Sequence, residues 1–148
     1  MSTNRPNRSK AEFRALREML GLTDARLADL AGVQERSVRR WATPSDIGYR
    51  APADVWELLD DMREQMQAAI DVALDIVEQQ TEEYGAARAI QLPYWFSAVD
   101  YKKHHYTDDG RDWRFANACS RAVAIALETQ GYEVEFVDGK DNLVPKQV

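Results

Sequence analysis

From Val55 onward, the apolar residues Leu59, Met62, Met66, Ile70, Ala73 and Val77 follow at steps of 4, 3, 4, 4, 3 and 4, and no glycine or proline interrupts the run before Gly85. That spacing holds all of them on one stripe of an α-helix. Pro52 suits the first turn, because the N–H that proline lacks has no intrahelical partner there. A helix of about 30 residues is roughly 45 Å long, so the rest of this 148-residue chain must be organised before and after it. Its other faces carry Asp54, Glu57, Asp60, Asp61, Glu64, Asp71, Asp75, Glu78, Glu82 and Glu83 against Arg63 alone, and are expected to be solvated. The apolar seam can be covered by its own chain, yet so long a helix in a small protein more often also meets a partner copy. A homodimer joined through this half is expected.

Residues 1–9 lack hydrophobic periodicity and hold Arg5, Arg8 and Pro6, which reads as a flexible basic arm. From Lys10 to Leu20 the residues Phe13, Leu16, Met19 and Leu20 recur at helical spacing, with Ser9 as N-cap, Glu12 as its capping-box partner and Gly21 as the stop. Thr23 precedes a second run, Leu27, Leu30 and Ala31, which Gly32 terminates, and a third run, Val38 and Trp41, follows at once. Residues 42–52 are turn-rich. Charge divides along the same lines. Residues 1–50 hold 10 basic and 6 acidic residues, a local +4, whereas residues 51–148 hold 9 and 19, a local −10, within a total of −6. A basic head that meets phosphates and an acidic body that repels them would give this split, as would chance placement of surface charge.

The segment 23–41, TDARLADLAGVQERSVRRW, is the most informative. Two helices that cross closely need a small residue inside the first, here Ala28, and a turn residue that tolerates positive φ four positions later, here Gly32. Leu27, Ala31, Val33, Val38 and Trp41 supply apolar side chains for a shared core. Gln34, Glu35, Arg36, Ser37, Arg39 and Arg40 are left on the outer side or at the start of the second helix. As an isolated helix, such residues would read as an ordinary solvated face. Here they resemble the reading side chains of the helix-turn-helix in the Cro/cI-like repressor family, and the likeness extends over about 55 residues.

That resemblance implies a second helix that enters the major groove of double-stranded DNA. Base contacts would come from Gln34, Glu35, Arg36 and Arg39, with Ser37 and Arg40 beside them, and Arg36 and Arg39 would contribute most to specificity. The chemistry fits, since Arg can donate two bonds to guanine, Gln can pair with adenine, and Glu can accept from cytosine. Thr23, Tyr49 and Arg50 are expected at the DNA backbone. The loop 42–51 is longer than the short polar turn usual in that family. The whole layout, a repressor-like head, a long helix and a small α/β tail, is also similar to YdiL-like bacterial proteins and anti-CRISPR-associated autorepressors, in which the tail resembles a dimerisation domain. These resemblances imply a dimeric prokaryotic or phage (auto)repressor that reads an inverted-repeat operator.

Beyond Gly85, a strand is expected around Ala89–Tyr94, with Pro93 placing it at an edge or a strand end. A short helix follows near Ser97–His104, then a turn at 107–110, then a helix from Asp112 carrying Trp113, Ala116, Cys119, Val123 and Leu127 and ended by Gly131. Tyr132, Val134 and Phe136 alternate with Glu133, Glu135 and Asp138, the period of a strand. The two strands would lie against the helices or pair with those of a second subunit. The expected fold is thus mainly α with a small α/β C-terminal part: an arm at 1–9, a helix-turn-helix domain at 10–60, the continuing acidic helix at 61–84, a small α/β dimerisation domain at 85–138, and a frayed tail at 139–148.

Trp95 and Phe96, beside Pro93 and Tyr94, could stack single-stranded bases, but packing or a subunit interface suits their acidic surroundings better. His104 and His105 could hold a metal or act as a base, yet neighbours on a helix face different directions and no spaced carboxylate partner stands out. A surface role is expected for both. Cys119 reads as a small hydrophobe, and a single cysteine cannot form an internal disulfide. With no nucleophile–base pair, metal cluster or phosphate-binding glycine loop, neither enzymatic activity, cofactor nor metal is expected. No apolar stretch reaches the roughly 18 residues that a membrane span needs, and a cytoplasmic location is expected. The alternative from another class is an antitoxin-like module whose acidic half masks a small basic protein partner.

Overall fold

A computed structural model describes residues 8–86, 89–105 and 109–141. The described chain is mainly helical: α1 Lys10–Met19, α2 Asp24–Ala31, α3 Glu35–Ala42, α4 Ala53–Tyr84, β1 Ile90–Tyr94, α5 Ala98–His104, α6 Trp113–Thr129, β2 Val134–Asp138 and a 3-10 turn at Gly139–Asp141. It divides into two compact units, with the division between Gln65 and Met66, inside α4. No helix among the described residues is long and apolar enough to cross a membrane.

In the first unit, side-chain caps start α1 and α2, and a left-handed glycine ends α2. Ser9 Oγ accepts from the Glu12 amide while the Glu12 carboxylate accepts from the Ser9 amide, the reciprocal box expected. Thr23 Oγ1 accepts from the Arg26 amide at the start of α2. Gly32 ends α2 at φ 70°, in the left-handed region, and the next amide, that of Val33, donates back to the Ala28 carbonyl. A Cβ at Gly32 would meet nothing within 4 Å, so its constraint is the backbone angle. Gly32→Ala is therefore expected to destabilise the protein by about 1–2 kcal/mol. Chemical denaturation measures this, and an unchanged midpoint would contradict the assignment.

Phe13, Leu16, Leu20, Leu22, Leu27, Ala28, Val38 and Trp41 are buried, as are Val55, Leu59 and Met62 of α4. Phe13 stands edge-on to both Trp41 and Trp56, with ring centroids 6.0 and 5.7 Å apart. Two core expectations fail. Met19, at the end of α1, is 51% exposed, whereas Leu20 is buried as expected and Leu22, outside the expected set, is buried too. Val33 is 37% exposed, because it lies in the turn after α2 and precedes the first buried position of α3, Val38.

Arg8, grouped with the arm by sequence, is held in the fold. Its guanidinium lies 2.9 Å from the Asp60 carboxylate and stacks 4.0 Å over the Trp56 ring, with both charged side chains largely buried. Residues 1–7 of the expected arm lie outside the described residues.

In the second unit, β1 and β2 pair in parallel, with Ile90 opposite Val134 and Tyr94 opposite Asp138. Parallel strands need a long crossover, and α5 and α6 provide it. One face of this sheet, through Ile90, Leu92 and Val134, packs with Tyr132 against Val77, Val123 and Leu127, joined by Ile70, Ala73 and Leu74. The seam of α4 is thus covered here by its own chain. The other face carries Gln91, which donates to Glu135, and beside them the apolar pair Pro93 and Val137. Pro93 sits one residue from the end of β1, in a sheet whose two strands are both edges.

Trp95 follows β1 and is buried against Tyr101, His104 and His105. The expectation that the two histidines face apart fails: His105 is the C-cap, with φ −137°, and leaves the helical path to stack on Tyr101. Asn117 of α6 closes the junction, its Nδ2 donating to the Trp95 carbonyl at 2.8 Å and its Oδ1 accepting from the Trp95 amide at 2.7 Å. The tail expected to fray from Gly139 is instead ordered to Asp141, with Gly139 buried on the Trp95 ring, where a Cβ would come within 2.4 Å. Residues 142–148 lie outside the described residues, as do Thr107 and Asp108 of the expected turn. Cys119 is half-buried, and burial raises its thiol pKa, opposed by Arg121.

Candidate nucleic-acid interface

Helix α3 is amphipathic in the way its sequence requires. Val38 and Trp41 are buried, while Gln34, Glu35, Arg36 and Arg39 are exposed and Ser37 and Arg40 are half-buried. Gln34 is the N-cap, yet its side chain makes no capping hydrogen bond, so the amide group remains available at the helix start. Arg36 and Arg39, about one turn apart, share the exposed face. Arg36 makes no hydrogen bond or ion pair among the described residues, whereas Arg39 Nη1 donates to Glu35 Oε2 at 2.9 Å. Both members of that pair are about half exposed, and such a helical pair contributes only about 0.3–0.5 kcal/mol. Arg39 can therefore change partners at little cost.

Arg40 is placed differently from Arg36 and Arg39. Its guanidinium stacks 3.3 Å over the Tyr49 ring, and its Nε lies 3.5 Å from Asp46. It braces the loop that follows α3, whose backbone is folded by the bonds from Asp46 N to the Thr43 carbonyl and from Tyr49 N to the Asp46 carbonyl. Thr43 Oγ1 also donates to the Arg39 carbonyl at 2.7 Å. The loop after α3 is thus an ordered flank of the exposed face.

Lys10 is the residue that sequence reasoning missed. Its ammonium donates to the carbonyls of Arg40 and Trp41 at 2.9 and 3.1 Å, and also to that of Tyr49. One side chain from the start of α1 thereby closes the C-terminal end of α3 and ties the loop to it, with positive charge at the negative end of the helix dipole. Desolvation lowers the Lys10 pKa, Asp46 opposes that shift, and Arg50 and Arg40 reinforce it. Nothing in local periodicity marks this role, since a lysine opening a helix reads as solvated. Lys10→Met is expected to lower unfolding stability by about 1–3 kcal/mol. A denaturation midpoint equal to that of the wild type would contradict the cage.

The residues expected at the DNA backbone are divided. The Thr23 oxygen is occupied as the cap of α2, which leaves its hydroxyl proton to donate. Tyr49 is exposed on the loop beneath Arg40. Arg50 Nη1 donates to the Arg8 carbonyl at 3.2 Å, so this side chain is tied into the unit. Comparison with models of protein families finds no match, and comparison with curated proteins finds none.

Proposed function

We propose that the chain is a sequence-specific DNA-binding transcriptional regulator, a homodimeric prokaryotic or phage repressor that reads an inverted-repeat operator through the major groove and acts on its own operon. The observation that carries this reading is the exposed face of α3. Two arginines about one turn apart stand beside an uncommitted Gln34, on a helix whose opposite side is buried through Val38 and Trp41. Arginine can donate bidentately to guanine O6 and N7, and the amide of glutamine can do the same for adenine. The short helix α2, ended by left-handed Gly32, leads into α3 as the motif requires.

In this reading, the second unit joins two copies. It exposes Phe96, Val99, Ile125 and Phe136, and Phe96 and Phe136 line an open cleft of about 280 Å³ with Tyr94 and Arg121, which a partner side chain can fill. Two recognition helices would then meet half-sites roughly 34 Å apart, and occupancy would block transcription. A band-shift titration on the DNA upstream of the protein's own gene, at one fixed salt concentration, tests the proposal. A discrete complex that survives excess unrelated duplex is the expected result. Equal competition by unrelated duplex would overturn it.

A further inference from the structure

Within the second unit, α4 has a face that its own core does not use. Val72 and Ile76, one turn apart, are 56% and 48% exposed, and Ala69 precedes them on the same stripe. Alongside runs a row of carboxylates at Asp71, Asp75, Glu78 and Glu82, again about one turn apart. Gln67 donates to Asp71, and Asp75, Glu78 and Glu82 have no basic partner among the described residues. Like charges at this spacing destabilise a helix by about 0.2–0.5 kcal/mol per pair. The free chain thus keeps together an uncovered apolar stripe and an uncompensated acidic row.

We propose that this face docks a basic amphipathic helix of a different protein. Apolar side chains of the partner at i, i+3 or i+4, and i+7 would cover Ala69, Val72 and Ile76. Lysines or arginines on one flank would neutralise the row from Asp71 to Glu82. Charge complementarity favours this occupant over an antiparallel second copy, which would set each acidic row against its own image. The site lies entirely in the second unit and does not depend on the DNA-reading proposal.

The test uses the full chain and a labelled synthetic peptide of about five helical turns, with leucines on one stripe and lysines elsewhere. Fluorescence anisotropy is measured beside a charge-reversed peptide carrying glutamates in place of the lysines. The lysine peptide is expected to bind, and the glutamate peptide is not. The Val72→Ser, Ile76→Ser double variant and the Asp71→Asn, Asp75→Asn, Glu78→Gln triple variant should each weaken binding at least about tenfold. All these substitutions are at exposed positions, so circular dichroism should match the wild type. Equal binding of both peptides, or unchanged affinity in either variant, would overturn the proposal. So would conversion of a dimer to a monomer by the Val72→Ser, Ile76→Ser change, measured by sedimentation, since the face would then belong to a second copy.

Discussion

Replacing Arg36 and Arg39 together by alanine is expected to weaken specific duplex binding by roughly 10²- to 10⁴-fold, because each bidentate base contact is worth about 1–3 kcal/mol. The fold should be unaffected. Arg36 makes no hydrogen bond or ion pair among the described residues, and the Arg39–Glu35 pair is exposed. Two further outcomes separate base reading from simple charge attraction. Arg36→Lys retains the charge and loses the planar fork, so it should relax sequence preference while the salt dependence stays near that of the wild type. Arg40→Ala should act mainly through the loop, since its guanidinium lies over Tyr49, and its effect should be smaller than that of Arg36→Ala or Arg39→Ala. A double variant that still discriminates its duplex from unrelated DNA would refute the assignment of these two residues.

The largest stability effect is expected at Asn117. Its amide satisfies both the N–H and the C=O of Trp95 where the strand ladder has ended. Asn117→Ala leaves two buried backbone groups without partners, and each costs about 1–3 kcal/mol. A loss of about 2–6 kcal/mol follows, large beside the 5–15 kcal/mol typical of a whole domain. Urea denaturation followed by tryptophan fluorescence measures it. Gly139→Ala should disturb the same junction from the other side, by driving a methyl group into the Trp95 ring. If Asn117→Ala costs less than about 0.5 kcal/mol, within the range of ordinary surface substitutions, the amide is not what holds Trp95.

What could be read in advance was what local rules control. The capping box at Ser9 and Glu12, the left-handed Gly32 and the apolar seam from Val55 to Val77 each depend on a few neighbouring residues, and each is found in place; the alternation from Tyr132 marks a strand, but β2 begins at Val134 and Phe136 is 48% exposed. Features that depend on distant residues were not legible. Alternation marks a strand but not its partner, so the parallel pairing of β1 with β2 became visible only with the crossover through α5 and α6. Ordering of Gly139 requires Trp95, which is 44 positions earlier. At the candidate interface, residue type and spacing identified the outward face of α3. They could not separate Arg40 from Arg36 and Arg39, because that distinction comes from Tyr49 and Asp46 in the loop. Lys10 went unnoticed for the same reason, since its three acceptors lie 30 to 39 residues away.

The most direct test of the central claim is selection of duplexes from a random-sequence pool by the full-length protein at fixed, near-physiological salt. DNA reading by a dimer through α3 predicts enrichment of one inverted repeat, with half-sites about one helical turn apart. Recovery of no common sequence after repeated rounds, with binding that depends on salt alone, would contradict it.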